Sequence, residues 1–509
     1  MKQVIRYLGA LCLSSATLVG CADMDLGTEP APDVTTSAHA VATDTVKLRF
    51  VHGSPTSPAL DIYVGTSAVP TWTAVAFGTT TPFANVPPAG LQLVVRTAGA
   101  PATDAPLYTS DVVVAAAGDS VTSIAGGILG SAAAAAKFRV QSYTEAFAAP
   151  ERGDAVVRFV HDSHGVAAAG FDVDADGTIE AAGVAAFTAS DAAGVPVERS
   201  ARGAQLSIVT GTTATKLTAF TLSPEVLAQR GGIFLVLVGV PSFVPHDTRG
   251  LALLAVGQRT TTLIRQNPTL YVLPAIPDST GIDVFAFGHG LQGAPVAQNV
   301  GFGVLAPALQ VAPSAHGYGL IITKAATGSS FGWPLALEST GPLVAGERYL
   351  AVASGFADPT CADFQCQTGR SRVRLTVLLD GFDRTVAATG RMRGVAASPD
   401  APAVDIGQFP PGTSAAFTGL AGLENLGYRT ASDPAGALVT ASPLNPGVRV
   451  TGSTDTLRFR FAPLFATDRV FGVLAGAFAP VTADIQSRFI VVNAVASGRW
   501  TAATLSPGL

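Results

Sequence analysis

The sequence predicts an all-β protein, tandem immunoglobulin-like β-sandwich domains behind a signal peptide and a flexible tether. Three observations predict it: a motif that returns four times along the chain, a composition rich in turn residues and poor in charge, and an N-terminal segment unlike everything behind it.

The N-terminal segment comes first. Lys2 and Arg6 give a positive end, an apolar run follows from Tyr7 to Val19, and the run closes on Leu18-Val19-Gly20-Cys21. Spanning a bilayer takes roughly 20 apolar residues, so the run reads as an export signal and not a membrane helix. Its last four residues resemble the lipobox of bacterial lipoproteins. That resemblance implies a lipoprotein signal peptide over 1–21, with Cys12 discarded and Cys21 as the lipid attachment site. Several acyl chains, at about 0.8 kcal/mol per buried CH₂, make a durable anchor. The membrane is then the first expected partner, and Ala22 after the cysteine points to the outer membrane, at its periplasmic face or the cell surface. Residues 22–44 are rich in Pro, Thr, Ala and Asp without an apolar period and read as a flexible tether.

A body of this size exceeds a single core: the chain has 509 residues, and cores stop growing at roughly 250 to 300. Charged residues are only 13% of the chain, with 54 Gly and 34 Pro, the profile of short strands and many turns. The net charge is -5 and Lys/Arg do not cluster, which argues against a nucleic-acid partner.

Four segments open alike: RFVHGSPTSPALDIYV from Arg49, RFVHDSHGVAAAGFDV from Arg158, YVLPAIPDSTGIDVFA from Tyr271 and RGVAASPDAPAVDIGQ from Arg393. Each reads as strand, turn, strand. A second landmark is an apolar strand ending at Gly127, Gly239, Gly355 and Gly476, whose aligned glycine (Gly126 in the first repeat) stands 65 to 72 residues after the motif aspartate. Two landmarks at matched spacing define four repeats, 45–150, 151–267, 268–388 and 389–509. Short strands with frequent turn signals over such a length fit a β-sandwich. Propeller blades, nearer 40 to 50 residues, are the runner-up reading for the body, placed behind the sandwich by this longer period.

The string Ala397-Ser398-Pro399-Asp400-Ala401-Pro402-Ala403-Val404-Asp405-Ile406, with Arg49-Phe50-Val51-His52 and Tyr349-Leu350-Ala351-Val352, resembles domain-of-unknown-function family 4397. The resemblance implies tandem domains in a secreted or surface protein and brings no catalytic residues. It extends over nearly all of 45–509, and is strongest in the first and fourth repeats. In the second, Pro55 has no counterpart and two residues are inserted; in the third, Pro274 stands where His52 was.

Candidate chemistry is sparse. Cys361 and Cys366, in one loop, read as a local disulfide in an oxidising compartment. His52 and His161 read as caps of the turn after the first strand. His289 and His316 lie in Gly-rich loops and could meet. The motif aspartates Asp61, Asp172, Asp283 and Asp405 read as structural, sheet-surface carboxylates that accept bonds from the preceding Ser/Pro turn. Asp172-Val173-Asp174-Ala175-Asp176-Gly177 has the start of a calcium loop, making Asp172, Asp174 and Asp176 a weak calcium candidate. Its twelfth position is Gly183 where a Glu would be needed, so Asp176-Gly177 reads instead as a hairpin turn. No metal, no cofactor and no catalytic residue are expected. The function expected is a non-enzymatic, lipid-anchored envelope protein whose domains serve adhesion, envelope structure or binding of a protein or glycan partner. The alternative is an extracytoplasmic hydrolase with loop-borne carboxylates.

Overall fold

A computed structural model describes residues 45–507, apart from 201–202, 211–214, 230, 290, 326–333, 359–371, 387–389, 410–415, 440–444, 460–467 and 479–485. Cys21 and the signal and tether, like Cys361 and Cys366, lie outside the described residues. The only helix among the described residues is Pro224–Leu227, and none there is long and apolar enough to cross a membrane.

Each repeat folds into two sheets on one plan. The four opening strands are Val46–His52, Asp154–His161, Thr269–Ala275 and Gly390–Ala396; the first three are rich in the β-branched and aromatic residues that suit a pleated surface. Each runs parallel to the strand that carries the second landmark, Ser120–Gly126, Gly232–Val238, Arg348–Ser354 and Arg469–Ala475 respectively. These glycine-ending strands pair antiparallel with the closing strands Arg139–Thr144, Ala252–Val256, Arg374–Leu379 and Arg488–Asn493. The second sheet is built around the strand bearing the motif aspartate: Leu60–Val64, Ala169–Asp172, Ile282–Gly288 and Val404–Gln408. Between the two sheets of each repeat lies its own core. Phe50, Leu60, Ile62 and Val95 fill the first, and Phe159, Phe171, Leu206 and Leu235 the second. Ile282, Leu320 and Ala351 lie in the third core, and Met392, Ile406 and Phe489 in the fourth.

The sandwiches are not independent beads. In Gly232–Val238, Ile233, Leu235 and Leu237 point into the sandwich's own core. Phe234, Val236 and Val238 point the other way, against Val51 and Ile124 of the first sandwich. Successive side chains of a strand face opposite sides, so a strand apolar at every position needs two covers. The fourth sandwich does the same: Val470 and Leu474 face inward, while Phe471, Val473 and Ala475 pack on Leu273, Leu350 and Val352 of the third. The first and second sandwiches therefore form one four-layered pair, and the third and fourth another.

A buried ion pair lies at each seam, and its arginine reaches across. Glu145 directly follows the first closing strand and binds Arg49 at 2.7 Å, while Arg49 also donates to the Gly257 carbonyl of the second sandwich. Asp380 holds the matching place after the third closing strand and binds Arg348 at 2.6 Å; Arg348 donates in turn to the Val495 carbonyl of the fourth, at 2.7 Å. The exposed connection around Ala148–Arg152 carries no such contact. A chain cleaved at a protease site placed there should stay assembled through the apolar seam. The two pieces are expected to co-elute in gel filtration and part only in denaturant; separation in native buffer would contradict the pairing.

Candidate functional site

The residues shared between repeats converge on the turn after each opening strand. Ser54 Oγ donates to the Gly127 carbonyl at 2.8 Å, Ser163 to Gly239 at 2.8 Å, and Ser398 to Gly476 at 2.7 Å. One bond thus joins the two sequence landmarks, and it explains their matched spacing. Two residues beyond the landmark glycine, a backbone N–H is also taken up by the turn. Leu129 N donates to Thr56 Oγ1 at 3.3 Å, Ala357 N to Asp278 at 2.7 Å and Phe478 N to Asp400 at 2.8 Å. Thr56, Asp278 and Asp400 had no functional or structural assignment from sequence; their shared offset from the turn serine position was the available signal.

His52 and His161 are fully buried and hold the far side of this turn. Nε2 of His52 lies 3.0 Å from the Pro58 carbonyl, and that of His161 2.9 Å from the Ala167 carbonyl. A carbonyl only accepts, so Nε2 carries the proton in both. Burial lowers both imidazole pKa values, which keeps the rings neutral.

The motif aspartates differ from expectation in two respects. They lie on the side of the strand away from the core, yet are buried, at 3 to 7% exposure. Their partners are not the preceding turn but the irregular segment alongside, a strand in the first and third repeats and a loop in the fourth. Asp61 accepts from Ala74 N at 2.8 Å, Asp283 from Asn299 N at 2.7 Å and Asp405 from Asn425 N at 3.0 Å. Ala74, Asn299 and Asn425 all have positive φ, at 51°, 48° and 56°, a left-handed backbone that costs a non-glycine residue about 1 to 2 kcal/mol. The carboxylate fastens the bulge that would otherwise leave an N–H without a partner. Asp61 closes its second oxygen on Gly99 N at 2.8 Å, and Asp405 on Arg449 at 2.7 Å.

Asp172 departs from this pattern. Its strand is joined to the next, Ala181–Val184, by the eight residues 173–180, so Asp176-Gly177 is not a two-residue hairpin turn. The inserted length moves the bulge two residues back along the strand, beside Gly170. Asp172 Oδ2 instead accepts from Gly177 N at 3.2 Å.

His289 and His316 do not pair. His289 Nε2 lies 2.7 Å from Ser314 Oγ, a contact that sequence did not foresee because serine there has no motif around it. Ser314 is buried and fixed at both backbone groups by a bridge to Leu343, and its hydroxyl also reaches the Gly317 carbonyl at 3.1 Å. No carboxylate hydrogen-bonds His289 among the described residues, so the pair lacks the third group that orients a catalytic base.

The first sandwich carries an open groove of about 870 Å³ beside its closing strand, lined by Leu107, Val112, Val114, Lys137, Arg139 and Gln141. Its titratable lining is Tyr108, Asp111, Lys137 and Arg139, and Arg139 Nε donates to the Lys137 carbonyl at 3.2 Å.

Residues 46–173 match the domain of unknown function DUF4397. The match takes in the whole first sandwich and the opening and aspartate strands of the second, a narrower span than the resemblance suggested. No curated protein matches the chain.

Proposed function

We propose that this chain is a non-enzymatic, lipid-anchored protein of the cell envelope, held at the outer membrane through Cys21, whose paired sandwiches serve as a stiff binding scaffold for a protein or glycan partner. One observation supports this above others: the polar side chains that recur between sandwiches end on backbone groups of their own domain. Ser54, Ser163 and Ser398 bind the landmark glycines, and Asp61, Asp283 and Asp405 bind backbone N–H groups of the irregular segment alongside. What recurs is a means of building a rigid domain. Catalysis needs an acid, base or nucleophile facing a substrate, and these groups face the fold.

Cys21→Ala tests the anchor. Labelling by a clickable palmitate analogue should vanish in the variant, and crosslinked partners captured from intact cells with the wild type should be depleted with it. Equal labelling of the two would refute the anchor. Turnover of ester, peptide or glycoside substrates by the purified chain would refute the non-enzymatic assignment.

A further inference from the structure

The connection 173–180 of the second sandwich places one carboxylate oxygen each from Asp172, Asp174 and Asp176 within 4.8 Å of one another. Calcium–oxygen bonds are about 2.3 to 2.6 Å long, so oxygens on one ion stand at most about 5 Å apart. Proximity alone would be ordinary for exposed acids, and Asp174 and Asp176 are exposed. Asp172 is not. It is 5% exposed, and its Oδ1 is buried without a hydrogen-bond partner.

The other repeats provide the comparison. Asp61 and Asp405 occupy the same place and use both carboxylate oxygens on protein donors. Among the four motif aspartates only Asp172 has a buried oxygen left over, and among the described residues only its repeat brings two further carboxylates to it. Burying an acceptor unsatisfied costs about 1 to 3 kcal/mol, more for a charged group. The insertion that removed the bulge partner is the same segment that delivers Asp174 and Asp176.

We propose that this loop binds a calcium ion through Asp172, Asp174 and Asp176, with water completing the shell on the exposed side. The donor set is all oxygen and anionic, which suits a hard cation over zinc or copper. The loop backbone already holds the acids in place: Asp176 N donates to Asp174 Oδ1 at 3.2 Å, and Thr178 N to Asp176 Oδ1 at 2.7 Å. Each carboxylate keeps further lone pairs for a metal. Glu180 is not available through Oε2, which accepts from Val173 N at 2.9 Å. Lys216, on a nearby strand, places its charge near Asp172 and limits the affinity. Three carboxylates without the bidentate Glu of an EF-hand, and with a nearby cation, place Kd at roughly 10⁻⁴ to 10⁻³ M.

The test is calorimetric titration of calcium chloride into the full chain after chelator treatment, repeated with magnesium chloride. One calcium per chain in that range is expected. Asp174→Asn combined with Asp176→Asn, at two exposed positions that leave the fold intact, should weaken binding at least tenfold. Asp61→Asn should leave the calcium affinity unchanged. Absence of binding at 10 mM calcium, retention of full affinity in the double variant, or equal affinity for magnesium would each overturn the proposal.

Discussion

Asp162→Asn is expected to stabilise the protein above neutral pH and to flatten its pH dependence. Asp162 follows His161 at the seam between the first two sandwiches and is fully buried, and neither of its carboxylate oxygens has a hydrogen-bond partner. Its carboxyl group packs directly on Gly126 of the first sandwich, where even a Cβ would come within 2.8 Å of it. The equivalent places in the first and fourth repeats hold Gly53 and Ala397, each making the same backbone bond to the glycine-ending strand. Burial pushes the Asp162 carboxyl up to about 7, against the opposing charge of Arg139. In the unfolded chain this proton leaves near pH 4. Between those values the folded state binds the proton and the unfolded state does not, so stability falls by about 1.4 kcal/mol per pH unit as pH rises. The favourable term is complete below pH 4 and gone above about pH 7. Asn cannot ionise and lacks this slope. Denaturant unfolding from pH 4 to pH 8 should show the variant gaining on the wild type toward alkaline pH, by on the order of 2 to 4 kcal/mol at pH 8. Parallel profiles for the two proteins would show that Asp162 is not held neutral in the seam.

The sandwiches were legible in sequence because their signals are local: period-two strands, glycine turns and a motif that repeats with its spacing. How the sandwiches join was not. A strand such as Gly232–Val238 is apolar at every position, and the pattern is the same whether its second face is covered by a helix, a loop or another sheet. Only the structure identifies Val51 and Ile124 as that cover. The matched spacing of the two landmarks was visible, but its cause, a serine hydroxyl on a glycine carbonyl, is a contact across more than 70 residues. For the motif aspartates, alternation placed them on the correct side of the strand. It could not show that a bulged neighbour folds over them, because a bulge is one extra residue with no compositional mark. The two seam arginines were invisible for a different reason. A single charge in a strand looks solvated until its partner is known, and Glu145 lies 96 residues from Arg49.

Removing the acid from the second of those ion pairs should have the largest effect of any single substitution considered. Asp380 is 1% exposed, and its Oδ2 accepts from two arginines, Arg348 at 2.6 Å and Arg384 at 3.1 Å. One carboxylate cannot neutralise two cations, and the fourth sandwich supplies the balance. Arg348 donates to the carbonyls of Val495 and Ala496, Arg384 donates to that of Ala494, and the ring of Trp500 lies 5.2 Å from the Arg348 guanidinium. Burial already lowers the Arg384 pKa, with Asp380 acting against that shift. Asp380→Ala leaves both guanidinium groups in the seam without their counter-charge, and stranding a buried charge in this way costs about 3 to 5 kcal/mol. The fall in unfolding free energy should be of that size and should be accompanied by loosening of the third sandwich from the fourth. Asp380→Asn keeps an acceptor but not the charge and should fall between wild type and alanine. Replacing the whole set with apolar residues, as in Arg348→Met with Asp380→Leu and Arg384→Met, should cost less than Asp380→Ala alone, because desolvating the charges is itself expensive. A triple variant less stable than the single one would mean that the ion pair contributes net stability to the seam. If Asp380→Ala unfolds like the wild type, the arginines must find water, and the seam cannot be dry there.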